Sequence, residues 1–172
     1  TPSGKVELYS QRMAALGLDP LPDWVPSASA QNADRVQTEF PLILQTGLRE
    51  KTYHHSRFRE QAWARKVSPD PLLKLHPDTA AAYGIADGDW VQIETPAGQG
   101  ACNLKAVVSG ATAPGVLVTG MGWWLPEAAG PGYGVLDVNI NAALSYDGPY
   151  DPASGSADTR GVACRMRRCL DT

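Results

Sequence analysis

The chain has 172 residues, 43% of them apolar and 19% charged, and its formal net charge is −3. This composition excludes a disordered polyelectrolyte and suits one domain of ordinary size with an appended arm. The 17 Gly and 14 Pro residues predict frequent turns and disfavour an all-helical bundle. No apolar run approaches the roughly 20 residues of a transmembrane helix, so direct membrane insertion is not expected.

The chain starts at Thr1-Pro2, with neither an initiator methionine nor a signal peptide. This start favours an excised piece of a longer protein or a processed chain, and a cloning artefact explains it equally well. The sequence therefore leaves the compartment unassigned, with bacterial or archaeal cytoplasm or periplasm as the alternatives.

Residues 1–39 are predicted to form a loose, extended arm that leads in from an upstream domain. Pro20, Pro22 and Pro26 lie close together, and proline lacks an amide donor and biases its predecessor away from helix. Residues 40–172 are predicted to form the compact domain.

The first half of the compact domain contains one strand and two helices. Residues 41–47 form a short apolar run that ends at a glycine, which predicts a buried strand. A short helix is predicted over 57–66. His76 precedes a clear helix with Pro at its first position and Gly84 as its stop signal.

The second half alternates short apolar segments with Gly- and Pro-containing turns. The expected elements are strands over 90–95, 101–109, 115–119 and 162–169, a turn over 96–100, and a helix over 135–145. Several short strands, tight turns and few helices predict a mainly β fold, a closed β-barrel with helical insertions.

Basic residues are concentrated in two segments of this acidic chain. Residues 49–66 and 160–168 hold ten of the fifteen Lys and Arg residues, and the segment between Lys105 and Arg160 holds none. Arg49 and Arg160 lie beside Gly-containing turns, where backbone amides can also face an anion. This distribution favours a site for an anion, with two solvated faces as the alternative. No nucleic-acid partner is expected.

The sequence has no autonomous catalytic or metal-binding pattern. It lacks a Walker loop, a Rossmann glycine pattern and a nucleophile elbow. His54 and His55 are adjacent and would point to opposite faces of a strand, so they do not form a metal pair. His76 is interpreted as a helix cap or a surface group. The three cysteines suit neither a disulfide framework nor a metal site and are interpreted as small apolar residues.

Three polar loops instead follow predicted strands: residues 46–56, 120–124, and 139–141 with 151–155. They offer glycine for close backbone approach, amide and hydroxyl groups for hydrogen bonds, and indole rings for stacking. These groups suit a flat heterocycle that carries phosphate. Ordinary turn chemistry uses the same residue types, so both interpretations stay open at this point.

These loops and their neighbours carry a resemblance to one protein family. The chain resembles the C-terminal domain of the molybdopterin-dinucleotide oxidoreductases, the dimethyl sulfoxide reductase family. The matching stretches are residues 1–7, 44–47, 53–57, 69–71, 76–80, 84–91, 122–127, 141–144 and 151–155. The Trp123-Trp124 pair resembles the branch that contains acetylene hydratase, thiosulfate or polysulfide reductases and some formate dehydrogenases.

The resemblance implies a double-psi β-barrel that caps molybdopterin guanine dinucleotide with Mo or W. It places the metal ligand and a [4Fe–4S] cluster in upstream domains of the same polypeptide, which would be partners together with electron-transfer subunits. The chain is then a fragment of the catalytic subunit of an oxidoreductase, and the isolated domain is not expected to be catalytic, because the cofactor carries the chemistry.

The resemblance also implies a set of cofactor-binding residues. Gly47 would let the backbone approach the pterin, Trp123 would pack beside its rings, and Arg160 would face phosphate. The remaining candidates would supply hydrogen bonds or charge: Thr46, Arg49, His55, Ser56, Asn141 and Asp151. Leu48 departs from the family pattern before Arg49, and Asn139 competes with Asn141 for the same role.

Two geometric expectations follow. The side chains of Ser56, Asn141 and Arg160 should surround one concavity with Gly47 as its floor, and Trp123 or Trp124 should be partly exposed. The alternative from another class is a stand-alone double-psi barrel that acts as a binding or interaction module without cofactor. A small enzyme with this barrel, such as a decarboxylase, is the third interpretation.

Overall fold

The computed structural model describes residues 1–21, 23, 33–96, 98, 100–146 and 150–169. These residues form six strands: β1 (Leu42–Leu48), β2 (Leu72–Leu75), β3 (Trp90–Glu94), β4 (Cys102–Val108), β5 (Val116–Gly120) and β6 (Arg160–Arg168). They also form five short helices and one 3-10 turn: α1 (Gln11–Ala15), α2 (Ala33–Glu39), α3 (Ala62–Val67), α4 (Pro77–Tyr83), α5 (Val135–Val138) and the 3-10 turn (Ile140–Ala143).

The six strands close into a barrel in the order β1-β5-β2-β4-β3-β6. The β1–β5 and β2–β4 pairs are parallel, and the other four pairs are antiparallel. Closure leaves no free sheet edge, because every strand has two hydrogen-bonded neighbours. The predicted mainly β fold with short helices is confirmed.

Alternate residues of the strands fill the barrel interior. Leu73 and Leu75 on β2, Leu104 on β4 and Leu117 on β5 have no solvent exposure. A strand directs successive side chains to opposite faces, so the period-two apolar pattern of the sequence becomes the barrel core.

The strand register places the carboxyl ends of β1, β3 and β5 beside the amino ends of β2, β4 and β6. The pairs that define this rim are Leu48 with Gly120, Gln45 with Arg160, Leu73 with Thr119, and Ile93 with Cys102. We call this rim the site end. The two longest connections start here: the β1 loop (residues 49–61) after β1 and the β5 loop (residues 121–134) after β5.

The arm is less extended than the sequence predicts. Helices α1 and α2 lie within residues 1–39. Ser10 caps α1 by accepting a hydrogen bond from the Met13 amide, a local interaction of the kind that stabilises helix starts. Of the three prolines expected in an extended loop, Pro20 is described, whereas Pro22 and Pro26 lie outside the described residues.

Two predicted helices are shorter than the sequence indicates. The helix expected over 57–66 begins only at Ala62, because the preceding loop forms turns with positive φ angles at His55 (56°) and Phe58 (70°). The helix expected over 135–145 is interrupted at Asn139, whose backbone is extended, with φ −92° and ψ 121°. Helix α5 ends there and the 3-10 turn starts.

The expected helix cap at His76 is confirmed. Its Nδ1 accepts a hydrogen bond from the Asp78 amide, 3.1 Å away, and α4 ends at Gly84 in the left-handed conformation. Cys102 and Cys164 are buried as expected, and Cys169 is half-buried. Among the described residues, no helix has the length and apolar character needed to cross a membrane.

Candidate functional site

A cavity opens at the site end, between the β1 loop and the start of the β5 loop. The side chains of Arg49, Glu50, Tyr53, His55, Arg59 and Met121 contribute to its lining. Two candidates from the sequence, Arg49 and His55, therefore lie at one cavity. Its lining residues carry two guanidinium groups, a carboxylate, a phenol, an imidazole and a thioether.

Gly47 brings the end of β1 against the start of β6. Its φ is +87°, and a Cβ placed on it would lie 3.2 Å from Arg160 Nη2 and 3.2 Å from Met121 Cε. A glycine is needed here because its backbone conformation is unfavourable for L side chains and both neighbours are close. Thr46 strengthens the same junction, since its hydroxyl donates a 2.5 Å hydrogen bond to the carbonyl of Thr159.

Gly122 brings the two loops into backbone contact. Its φ is +74°, and a Cβ placed on it would lie 3.0 Å from both His55 C and Ser56 N. Trp124 adds a second connection, because its indole Nε1 donates a 2.9 Å hydrogen bond to the Ser56 carbonyl. The β1 loop therefore rests directly on the β5 loop.

Arg59 links the two loops through their carbonyl groups. Its Nε donates to Gly122 O at 3.0 Å, and its Nη2 donates to His55 O at 3.1 Å and to Met121 O at 3.3 Å. The residue is only 1% exposed. Burial lowers the pKa of the Arg59 guanidinium to about 10, so the group is still charged at neutral pH.

Aromatic rings and one carboxylate surround this buried charge. The guanidinium carbon of Arg59 lies 3.6 Å from the ring centroid of Trp123 and 4.2 Å from that of Tyr53. Such contacts stabilise a desolvated cation. Glu50 accepts a 2.7 Å hydrogen bond from Trp123 Nε1, and its negative charge opposes the burial effect on the pKa of Arg59.

Met121 lies between His55 on one side and Gly47 on the other. Its Sδ is 3.2 Å from His55 Nδ1, and its Cε lies beside Gly47, which adjoins Arg160. The structure therefore brings Thr46, Gly47, Arg49, His55 and Arg160 together at the site end.

The expected role of Trp123 requires correction. The side chain is 1% exposed and packs under Arg59 and against Tyr53, so its indole has no free face for a bound ring. Trp124 is half-exposed instead. The expectation that one of the two indoles is partly exposed is met by Trp124.

Asn139, the competitor of Asn141 for a contact with the cofactor, is bonded to the β5 loop. The Asn139 amide donates a 3.1 Å hydrogen bond to the carbonyl of Trp123, and its Oδ1 accepts from the Asn141 backbone amide. Asn141 is exposed. Thr95 directly follows the carboxyl end of β3, and its Oγ1 donates a hydrogen bond to the Ala143 carbonyl. This bond holds the 3-10 turn that contains Asn141 at the site end. Asn141 and the His55 loop therefore lie at the same end of the barrel.

Asp151 is exposed and stabilises its own turn. Its carboxylate accepts hydrogen bonds from the amides of Ala153 and Ser154. These bonds, above all those from Ser154, hold the pKa of Asp151 below its usual value. The cavity between the β1 loop and the β5 loop is not lined by Ser56, Asn141, Asp151 or Arg160. A single concavity shared by Ser56, Asn141 and Arg160 therefore stays a prediction.

Sequence reasoning missed four residues of this site: Glu50, Tyr53, Arg59 and Met121. Arg59 lies in a basic segment and Met121 in a polar loop, both of which the sequence singled out. The signal for their individual roles was absent, because burial of Arg59 and its contacts with carbonyl groups depend on two loops that are distant in the chain. Among the described residues, no cluster of three or more His, Cys, Asp or Glu side chains is placed to hold a metal ion.

A family model for the molydopterin dinucleotide binding domain matches residues 42–163. The chain belongs to this family. The match starts at the first strand of the barrel and includes the β1 loop, the β5 loop and Arg160. The chain is thus a molybdopterin-dinucleotide-binding domain of the kind found in catalytic subunits of the dimethyl sulfoxide reductase family, and its fold is the double-psi β-barrel that the resemblance implied.

Curated relatives support this assignment. The chain is 36% identical to acetylene hydratase from Syntrophotalea acetylenica over 98% of its own length and 24% of that protein. It is 33% identical to dopamine dehydroxylase from Eggerthella lenta over 96% of its own length and 16% of that protein. It is 32% identical to a dimethyl sulfoxide reductase from Escherichia coli (strain K12) over 74% of its own length and 16% of that protein.

A solved structure shows the same fold. The dinucleotide-binding domain superposes on acetylene hydratase from Pelobacter acetylenicus with a TM-score of 0.88 and 35% identity, over 98% of this chain and 24% of that one. The chain spans about a quarter or less of the length of these relatives.

The residues at the site end fit a phosphate-bearing dinucleotide. Arg49 and Arg160 supply guanidinium groups, which pair strongly with phosphate oxygens. Gly47 presents backbone without a side chain. Arg59 lines the cavity and its buried Nη1 has no hydrogen-bond partner among the described residues. Positive charge and unshared donors are what an anionic, oxygen-rich ligand requires.

Proposed function

We propose that this domain binds molybdopterin guanine dinucleotide, carrying Mo or W, at the site end of its barrel, within the catalytic subunit of an oxidoreductase. The observation that carries the proposal is the convergence of Gly47, Arg49, His55 and Arg160 around Met121. These residues come from three distant parts of the chain, and one elongated ligand gives a physical reason for them to meet.

Each residue has a task that its surroundings support. Arg160 and Arg49 offset phosphate charge through charge-assisted hydrogen bonds. Gly47 lets the ligand approach the backbone, and Thr46 holds that backbone to β6 through its bond to Thr159. His55 lines the cavity, and its imidazole would offer a nitrogen for hydrogen bonding to the polar edge of a heterocycle.

The more exposed candidates complete the proposal. Ser56 and Asn141 would bind polar edges of the pterin or guanine, and Asp151 would do so from the loop that leads to β6. The bound cofactor supplies the redox-active metal, whereas this chain binds and orients it. A [4Fe–4S] cluster, the metal ligand and any electron-transfer partner belong in this proposal to other parts of the enzyme.

Guanosine diphosphate is a suitable probe, because it contains the guanine, ribose and diphosphate portion of the proposed ligand. We expect it to shift the backbone NMR signals of Gly47, His55 and Met121 in the full chain. Arg160→Ala should weaken its binding about tenfold or more, since a hydrogen bond to a charged group contributes roughly 1.5–3 kcal/mol.

Arg168→Ala is the matched control. Arg168 lies at the opposite end of β6 and pairs with Asp89, so its loss changes the net charge equally without touching the site end. If the two substitutions weakened guanosine diphosphate binding equally, the loss would come from the change in net charge and not from a contact of Arg160. Binding of cytidine diphosphate as tight as that of guanosine diphosphate would contradict the guanine assignment.

A further inference from the structure

Arg59 is the most deeply buried charged side chain among the described residues, at 1% exposure, and it lies outside the barrel core. It belongs with Tyr53, Trp123 and the smaller cluster that also holds Ala64 and Val138. A desolvated cation is unfavourable unless its surroundings compensate for the lost water. Its position therefore requires an explanation beyond packing.

The hydrogen bonds of Arg59 all end on backbone carbonyl groups of the two loops. One acceptor is His55 on the β1 loop, and two are Met121 and Gly122 on the β5 loop. Because Nη2 donates to a carbonyl of each loop and Nε to a second carbonyl of the β5 loop, one rigid, planar group fixes His55 O and Met121 O relative to each other. His55 and Met121 also line the cavity, so the same group controls the shape of that cavity.

We propose that Arg59 is a positioning residue that holds the β1 loop and the β5 loop at the spacing needed for ligand binding at the site end. The part of this inference that concerns binding rests on the proposed function. The part that concerns the coupling of the two loops rests on the contacts of Arg59 alone.

Arginine is suited to this task and lysine is not. The three bonds leave from two nitrogens, Nε and Nη2, of one plane, while the face of that plane lies over Trp123. A lysine ammonium is a point charge at the end of a flexible stem and cannot reproduce both the fork and the stacking. Arg59→Lys should therefore keep the charge but loosen the two loops.

The test uses amide hydrogen exchange in the full chain, read residue by residue by NMR. The Gln61 amide, bonded to Phe58 O, reports on the β1 loop, and the Leu125 amide, bonded to Tyr133 O, reports on the β5 loop. The Ala106 amide, bonded to Asp89 O, reports on the barrel. Local opening of a loop accelerates its own amides and leaves the barrel amides unchanged.

In Arg59→Met we expect both loop amides to exchange about tenfold faster or more, in parallel, because each lost bond to a charged donor contributes roughly 1.5–3 kcal/mol. The Ala106 amide should keep its exchange rate. In Arg59→Lys the exchange rates of the two loop amides should lie between those of Arg59→Met and those of the parent chain. The matched control is Arg57→Met, which removes an exposed arginine of the same loop and should change neither rate.

Acceleration of only one loop amide, or of neither, would overturn the proposal, because the loops would then open independently. Equal acceleration at Ala106 would overturn it too, since Arg59 would be a general stability residue. Guanosine diphosphate binding should weaken about tenfold or more in Arg59→Met and not in Arg57→Met. If the parent chain fails to bind this probe, the proposed function fails, and the exchange rates still decide the role of Arg59.

Discussion

Replacing Gly122 by alanine tests the contact between the two loops directly. Gly122 has φ +74°, and an added Cβ would lie 3.0 Å from His55 C and 3.0 Å from Ser56 N. Gly115 is a matched control at the other end of β5, because its φ is +77° and an added Cβ would meet nothing within 4 Å. The two substitutions therefore share the backbone effect and differ in the steric one.

The magnitude follows from these two terms. A left-handed backbone costs an L residue about 1–2 kcal/mol, which applies to both positions. At Gly122 the new methyl group also meets backbone atoms, which cannot rotate away, and overpacking of this kind costs about 1–3 kcal/mol more. We expect Gly115→Ala to lower the free energy of unfolding by about 1–2 kcal/mol and Gly122→Ala by about 2–5 kcal/mol.

Urea titrations of the two variants and the parent chain provide the measurement, with stability compared at an unchanged slope. Amide exchange at Gln61 would show the same difference if the loops open before the barrel unfolds. Equal losses for the two variants would refute the reasoning, because they would mean that the β1 loop does not rest on Gly122.

Three further predictions concern the barrel. Thr79→Val removes the hydroxyl that accepts a 2.8 Å hydrogen bond from the Gly115 amide. Because this amide loses its partner, the free energy of unfolding in urea titrations should fall by about 1–3 kcal/mol. An unchanged free energy of unfolding would contradict this prediction. Burial raises the pKa of Cys102 and of Cys164 to about 12, so a thiol reagent at pH 8 should label only Cys169 in the native chain and all three cysteines after unfolding. Because these folded-state pKa values lie above the ordinary value of a thiol, about 8.5, the stabilising effect of each buried thiol is present at neutral pH and is lost as the pH rises toward 12. The free energy of unfolding should therefore fall as the pH rises above about 8.5, and a Cys164→Ala variant should show a smaller fall than the parent chain in urea titrations; an equal fall would contradict this.

Much of the barrel could be predicted from local sequence. The alternation of apolar residues in β3 and β4 predicted strands close to those observed, since a strand exposes one face to the core and the other to solvent. His76 and Gly84 marked both ends of α4, because capping depends on neighbouring residues alone. The break at Asn139 could not be predicted this way, since its side chain bonds to the Trp123 carbonyl of another loop.

The candidate site was predictable in part. Thr46, Gly47, Arg49, His55 and Arg160 were identified from polar loops and a family resemblance, and the structure brings them together at the site end. Trp123 was assigned to the cofactor because its loop resembles that of the family and an indole ring can stack on a heterocycle. Its burial under Arg59 arises from a contact between residues 64 positions apart in the chain, which no local pattern encodes.

The sequence by itself determined the mainly β class, the positions of most strands and the segments that hold the polar and basic residues. These properties depend on hydrophobic periodicity and turn chemistry, which act over a few residues. Only the tertiary structure decided that the ends of β1, β5 and β6 share one rim and that the buried guanidinium of Arg59 joins two loops above it. Strand order and register arise from closure of the whole barrel, so the contact of Gly47 with the Arg160 side chain exists only after all six strands are in place.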